Sequence, residues 1–143
     1  MRLSLLMLVM VTAPLMAQDA PAGFEAARFM PLAPGQWSYA PMPGGSEARF
    51  GGTFVIQCDR NTRRVTLRRP ELAMTAPATA MIVTTDLAVH TVPADGILAN
   101  SNRVLDAIAF SRGRFIVSGG GSASQLVAPS SPEAARTIED CRN

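Results

Sequence analysis

Thr53-Phe54-Val55-Ile56-Gln57-Cys58, then Asp59-Arg60-Asn61-Thr62-Arg63, then Arg64-Val65-Thr66-Leu67-Arg68 is the stretch that decides the fold. Two short runs rich in β-branched residues flank a polar turn, the pattern of an antiparallel hairpin. In the second run Val65 and Leu67 share one face, while Arg64, Thr66 and Arg68 share the other. That alternation belongs to a sheet with one dry side and one wet side. Cys58 closes the first run and so anchors the hairpin.

Further downstream, Met81-Ile82-Val83-Thr84 and Leu87-Ala88-Val89-His90-Thr91-Val92 read as two more strands about a short turn at Thr85-Asp86. From Asn102 to Ser111 the period changes. Val104, Leu105 and Ile108 fall at helical spacing, with Ser101 or Asn102 as N-cap and Gly113 placed to end the helix. Strands are expected again at Arg114–Ser118 and Ser124–Val127, around Gly119-Gly120-Gly121, because a glycine run supplies the positive φ that hairpin loops require. The same glycines are no phosphate loop, since no Lys-Ser/Thr and no helix follow them directly. Ser131 suits an N-cap, Pro132 the first turn and Glu133 the positive end of the dipole, so a C-terminal helix begins there. Its Ala134, Ile138 and Cys141 are spaced i, i+4, i+7 and bring an apolar face and a thiol toward the sheet.

Upstream, Trp37 and Tyr39 are the only Trp and Tyr, and alternate positions on a strand would turn both to one side, for core or sheet-edge packing first and a ligand platform as the alternative. Pro41, Pro43, Gly44 and Gly45 mark a turn, and Ser46 after them reads as turn chemistry. Residues 18–36 hold Pro21, Pro31 and Pro34 and read as a Pro/Ala-rich lead-in, with a weak helical pattern over Phe24–Phe29. Before them, residues 1–17 have the form of a signal peptide: Arg2, an apolar run from Leu3 to Ala13, Pro14, and Ala17 as a cleavage point. The run is shorter than the about 20 residues a membrane span needs, so no span is expected after cleavage.

Removing the signal leaves 126 of the 143 residues, enough for one domain over 37–143 and its lead-in. In the exported compartment the paired cysteines are expected to be joined as Cys58–Cys141. A metal site is the weaker alternative, because two isolated cysteines and the single histidine, His90, lack ligand spacing. No metal or cofactor is assigned. All 13 basic residues are arginine against 11 acids, a near balance that predicts no nucleic-acid partner.

General acid–base chemistry needs a positioned titrating pair, and one histidine with scattered carboxylates does not supply one. No G-x-S-x-G elbow is present, so no residue is assigned to catalysis. Charge concentrates only at Arg60, Arg63, Arg64, Arg68 and Arg69, five arginines in ten residues. Guanidinium forks suit phosphate and carboxylate, so an anionic envelope component is one candidate partner and another envelope protein a second. The plain alternative is a solvated hairpin face. The candidate binding residues are Arg60, Arg63, Arg64, Arg68, Trp37 and Tyr39.

Leu105-Asp106-Ala107-Ile108-Ala109-Phe110-Ser111-Arg112-Gly113-Arg114-Phe115-Ile116-Val117, followed by Pro132 to Arg142, resembles the ending of a group of small exported alphaproteobacterial proteins of unknown function. The resemblance covers much of Trp37 to Arg142. It implies a shared fold stapled by the two cysteines, and no activity. More distantly, the order helix, strand, strand, terminal helix is similar to invasion-associated locus B proteins, secreted sandwich-like domains implicated in host-cell entry. Those have more cysteines than this chain, so neither their disulfide pattern nor their role is carried over.

The expectation is therefore an α+β fold, mainly antiparallel β sheet or sandwich. It has about six strands, a short internal helix and a C-terminal helix. Function is expected to be non-catalytic binding in the periplasm or outside the cell. The alternatives are a hydrolase-type enzyme with an unrecognised site and a structural accessory to another envelope protein. Oligomeric state is not legible from these residues.

Overall fold

Burial alternates where one face of a strand is wet, as over Arg64–Arg68, and runs through both faces where a strand is covered, as over Phe54–Ile56, and two antiparallel sheets result. The computed structural model describes residues 22–72, 79–121 and 124–143. The expected signal peptide lies outside the described residues, as do the first residues of the lead-in. Helix α1 spans Ala22–Ala27. Strands β1 (Trp37–Met42), β2 (Gly45–Phe50), β3 (Phe54–Asp59) and β4 (Arg64–Arg68) follow as a meander. Then come β5 (Met81–Thr84), β6 (Val89–Val92), β7 (Ile97–Ala99), α2 (Arg103–Ala109), β8 (Arg114–Gly119), β9 (Leu126–Pro129) and α3 (Pro132–Asp140). One sheet has the order β1-β2-β3-β4-β7 and the other β6-β5-β8-β9.

The hairpin at Cys58 forms as expected, with Val55 opposite Arg68 and Asp59 opposite Arg64. Its partner β2 was not anticipated. Gly44 supplies the left-handed turn residue (φ 74°), and Gly45 starts a strand instead of extending the turn. A Cβ on Gly45 would stand 1.8 Å from the Cys58 carbonyl oxygen, so only glycine permits this approach. Ser46, expected in a turn, is fully buried within β2. Among the described residues nine strands form where about six were expected, the additions being β1, β2, which begins at glycine, and the three-residue β7.

Other boundaries moved for local reasons. Thr85 Oγ1 accepts from the N–H groups of Leu87 and Ala88, so the turn takes in Leu87 and β6 starts at Val89. Asn102, of the two candidates, caps α2 by accepting from Val104 N at 3.0 Å. That helix ends at Phe110, and Gly113 (φ 80°) serves the bend into β8. Strand β9 begins at Leu126, later than expected, and continues to Pro129. Ser131 caps α3 through Ala134 N at 3.1 Å, as expected.

One core lies between the sheets and against α2 and α3. The inner face of the five-stranded sheet is shared along its length. At one end Trp37 packs on Phe50, Phe54 and Phe115, and Phe54 meets Phe115, which joins the two sheets through aromatic rings. At the other end Cys58 is bonded to Cys141, with Cα atoms 5.5 Å apart, so α3 occupies that half. Of the described lead-in, α1 is packed: Phe24 and Ala27 are buried on Ile116 and Val127, on the outer side of the four-stranded sheet, while most of residues 28–36 is exposed.

Candidate functional site

Register sorts the expected site residues between two faces. In β4, Arg64, Thr66 and Arg68 point away from the core, while Val65 and Leu67 are buried. Arg64 and Arg68 are four residues apart on one strand, about 13 Å. Arg49 of β2 is added to that face, since Arg49 and Arg68 are both cross-strand partners of Val55. Val55 is only 1% exposed although it faces outward. Arg49 and Arg68 flank it in register, and the stems of such long charged side chains cover apolar surface while their heads stay in water.

Acids on this face are already engaged. Glu47, largely buried, pairs with Arg49 Nε and lies 3.9 Å from Arg68. Arg68 also donates to Gln57 Oε1 at 2.9 Å. Asp59 accepts from the N–H groups of Asn61 and Thr62 at 2.9 and 3.3 Å. The Thr62 hydroxyl, with those two N–H groups, holds the Asp59 carboxyl below its ordinary range against a small desolvation. Arg63 takes a left-handed conformation (φ 52°) and its carbonyl accepts from Asn100 N at 3.1 Å. Arg63 and Arg64 are exposed. Arg69, the fifth arginine of the run, is buried and reaches Glu71, the Gly119 carbonyl and the Ser124 carbonyl. It ties the end of β4 to the loop after β8.

Trp37 and Tyr39 share a side, as alternate positions should, and that side is the inner one. Trp37 Nε1 donates to the Pro129 carbonyl at 2.8 Å. Tyr39 Oη donates to Asp140 Oδ2 at 2.8 Å, and the Arg136 guanidinium sits 4.0 Å above the Tyr39 ring. Arg60 approaches the same carboxylate oxygen at 3.8 Å. Burial opposes the Asp140 charge, but the Ser46 and Tyr39 hydroxyls and the Arg60 and Arg136 guanidiniums outweigh it, and its carboxyl lies below the usual value. The Ser46 hydroxyl acts there by proximity, since it makes no hydrogen bond of ordinary geometry. Tyr39, Arg60, Arg136 and Asp140 thus clamp α3 to the first hairpins.

Arg49 and Asp140 were missed in the sequence. A signal for Arg49 existed: Ser46, Ala48 and Phe50 alternate with Glu47 and Arg49, the period of a strand, but the glycines before them read as a longer turn. Asp140 had only Arg136, four residues earlier on the same helix, because Tyr39 and Arg60 are 101 and 80 residues away in sequence.

An open cleft of about 550 Å³ lies where α1 meets the β5–β6 turn and the approach to β8, lined by Phe24, Arg28, Leu87 and Arg112 among others. Arg28 pairs there with Glu25 and Arg112 with Asp86 at 3.8 Å, while Arg114 donates to the Ala27 and Met30 carbonyls. Among the described residues no Ser, Cys or His lines it. His90 is half-buried on β6, opposite Val83. Among the described residues no group of three His, Cys, Asp or Glu could hold a metal ion, and no helix is long and apolar enough to cross a membrane.

Fold and site define a two-sheet α+β domain, stapled by one disulfide, with an arginine-bearing sheet face. Comparison with protein-family models, with curated proteins and with solved structures gave no match.

Proposed function

We propose that this chain is an exported, non-catalytic binding module that takes anionic groups on the outer face of its five-stranded sheet. The observation that carries the reading is the register of β2 to β4. It sets Arg49, Arg64 and Arg68 on one face, with Arg60 and Arg63 at its hairpin end; Glu47 is shared by Arg49 and Arg68 and Asp59 is held by its own turn, while the exposed Arg63 and Arg64 make no ion pair among the described residues. Trp37 and Tyr39 contribute from behind, by fixing the strands that present the arginines. The ligand class is phosphate or carboxylate, held by guanidinium forks. A disulfide suits the periplasm or the exterior, where an anionic envelope component would be met. The likeness to small exported alphaproteobacterial proteins and, more distantly, to invasion-associated locus B proteins belongs to this proposal.

The test is retention on vesicles containing a phosphate-bearing anionic lipid, measured for the disulfide-bonded protein. Replacing Arg63, Arg64 and Arg68 together by glutamine should reduce retention several-fold, and raising salt should weaken the native protein's binding, since exposed charges are screened over about 8 Å at physiological ionic strength. Arg112→Gln, in the cleft, should leave retention unchanged. Equal retention of the triple variant and the native protein would reduce the face to solvated charge.

A further inference from the structure

The four-stranded sheet has β6 at one edge, and no described strand pairs with its far side. Other edges carry familiar protection: β1 contains Pro41, β7 is three residues long, and β9 receives a bond from Ala33 N to the Val127 carbonyl. Strand β6, Val89-His90-Thr91-Val92, has neither proline nor lysine.

Two turn hydrogen bonds fix which backbone groups of β6 are free. Thr85 N donates to the Ala88 carbonyl at 2.9 Å, so Thr85 and Ala88 are a hydrogen-bonded pair next to Thr84 opposite Val89. Such pairs alternate along an antiparallel ladder, which gives Val83–His90 and Met81–Val92 as the bonded pairs with β5. On the other side of β5, Gly120 N donates to the Ala80 carbonyl at 3.2 Å, and the alternation there uses Ile82 and Thr84, in agreement. The N–H and C=O groups of Val89 and Thr91 therefore point out of the open edge. Two apolar side chains beside it on the outer face are exposed, Val89 at 55% and Ile82 at 43%, together with Thr91.

We propose that this edge pairs with β6 of a second copy of the chain, antiparallel and centred on His90. A two-fold axis normal to the sheet keeps each residue on its own face only if residues of like parity oppose each other. Placing Val89 opposite Thr91 of the second copy satisfies that condition and joins all the outward N–H and C=O groups of both strands. His90 then faces His90 of the second copy at the central non-hydrogen-bonded position. A register centred on Thr91 would set Val89 opposite Pro93, which has no N–H, and so loses bonds. On the outer face each Val89 would lie against Thr91 of the other copy, beside Ile82. The interface is small, so the pairing is a concentration-dependent equilibrium.

Sedimentation of the disulfide-bonded protein over rising concentration should show monomer passing to dimer, and Thr91→Lys should remain monomeric while melting as the native protein does. Single cysteines test the register. Opposed Cα atoms at a non-hydrogen-bonded position are about 4.5 Å apart, within disulfide reach. His90→Cys should therefore form a cross-linked dimer on oxidation, several-fold faster than Val89→Cys, whose counterpart lies two residues out of register. A native chain that stays monomeric and a His90→Cys variant that cross-links no faster than Val89→Cys would overturn the proposal. A dimer that survives Thr91→Lys would overturn it too.

Discussion

At the residue scale, the decisive contacts are those that draw apparently surface-seeking side chains inward. Tyr39 would suit a ligand platform, yet its hydroxyl is spent on Asp140 and its ring on Arg136. Tyr39→Phe should cost about 1 to 2 kcal/mol in urea unfolding, the range of a hydrogen bond to a charged acceptor that is partly wet. Because the Asp140 carboxyl is held below its ordinary value in the folded protein, the folded state favours the ionised form more than the unfolded chain does. The stability this contributes is complete above the ordinary carboxylate value and is lost as pH falls through the lower folded value. Asp140→Asn should thus flatten the acid limb of the stability curve below about pH 4, with little change in its slope near neutrality; an unchanged acid limb would count against the clamp.

At the scale of elements, the ends of helices were set by local chemistry and the ends of strands by partners. Ser131 at the start of α3 satisfies an otherwise unpaired N–H, and Pro132 and Glu133 follow in places that suit them. Ser131→Ala should lower stability by about 1 kcal/mol, read from the denaturant midpoint with the slope unchanged. Strand β2 shows the opposite case. Its inward residues, Ser46, Ala48 and Phe50, include only one large apolar side chain, so its hydrophobic signal is weak, and it is held by β1 and β3 on either side. Strand β7 is likewise defined by its pairing with β4. Leu87 illustrates a false signal: apolar and next to a strand, it is 68% exposed in a turn organised by Thr85.

At the scale of the whole molecule, the bond between Cys58 and Cys141 spans 83 residues and joins the central hairpin to the last helix. Opening it under mild reduction should remove about 2 to 4 kcal/mol, measured as a lowered melting temperature, because the unfolded chain regains the freedom the cross-link removed. The aromatic junction of Trp37, Phe50, Phe54 and Phe115 should persist and keep the two sheets together. Local chemistry, caps, turn residues and alternation were legible in the chain itself. It determined the central hairpin, the two later helices, the wet face of β4 and the pairing of the cysteines, since each depends on neighbours a few residues away or on residue type alone. Tertiary structure decided that Trp37 and Tyr39 face inward, that Arg69 is buried, that Arg49 joins Arg68 across Val55, and that β6 stands at an edge. Those outcomes depend on which strands lie side by side, and strand pairing is set by packing between segments far apart in sequence, which no local pattern encodes.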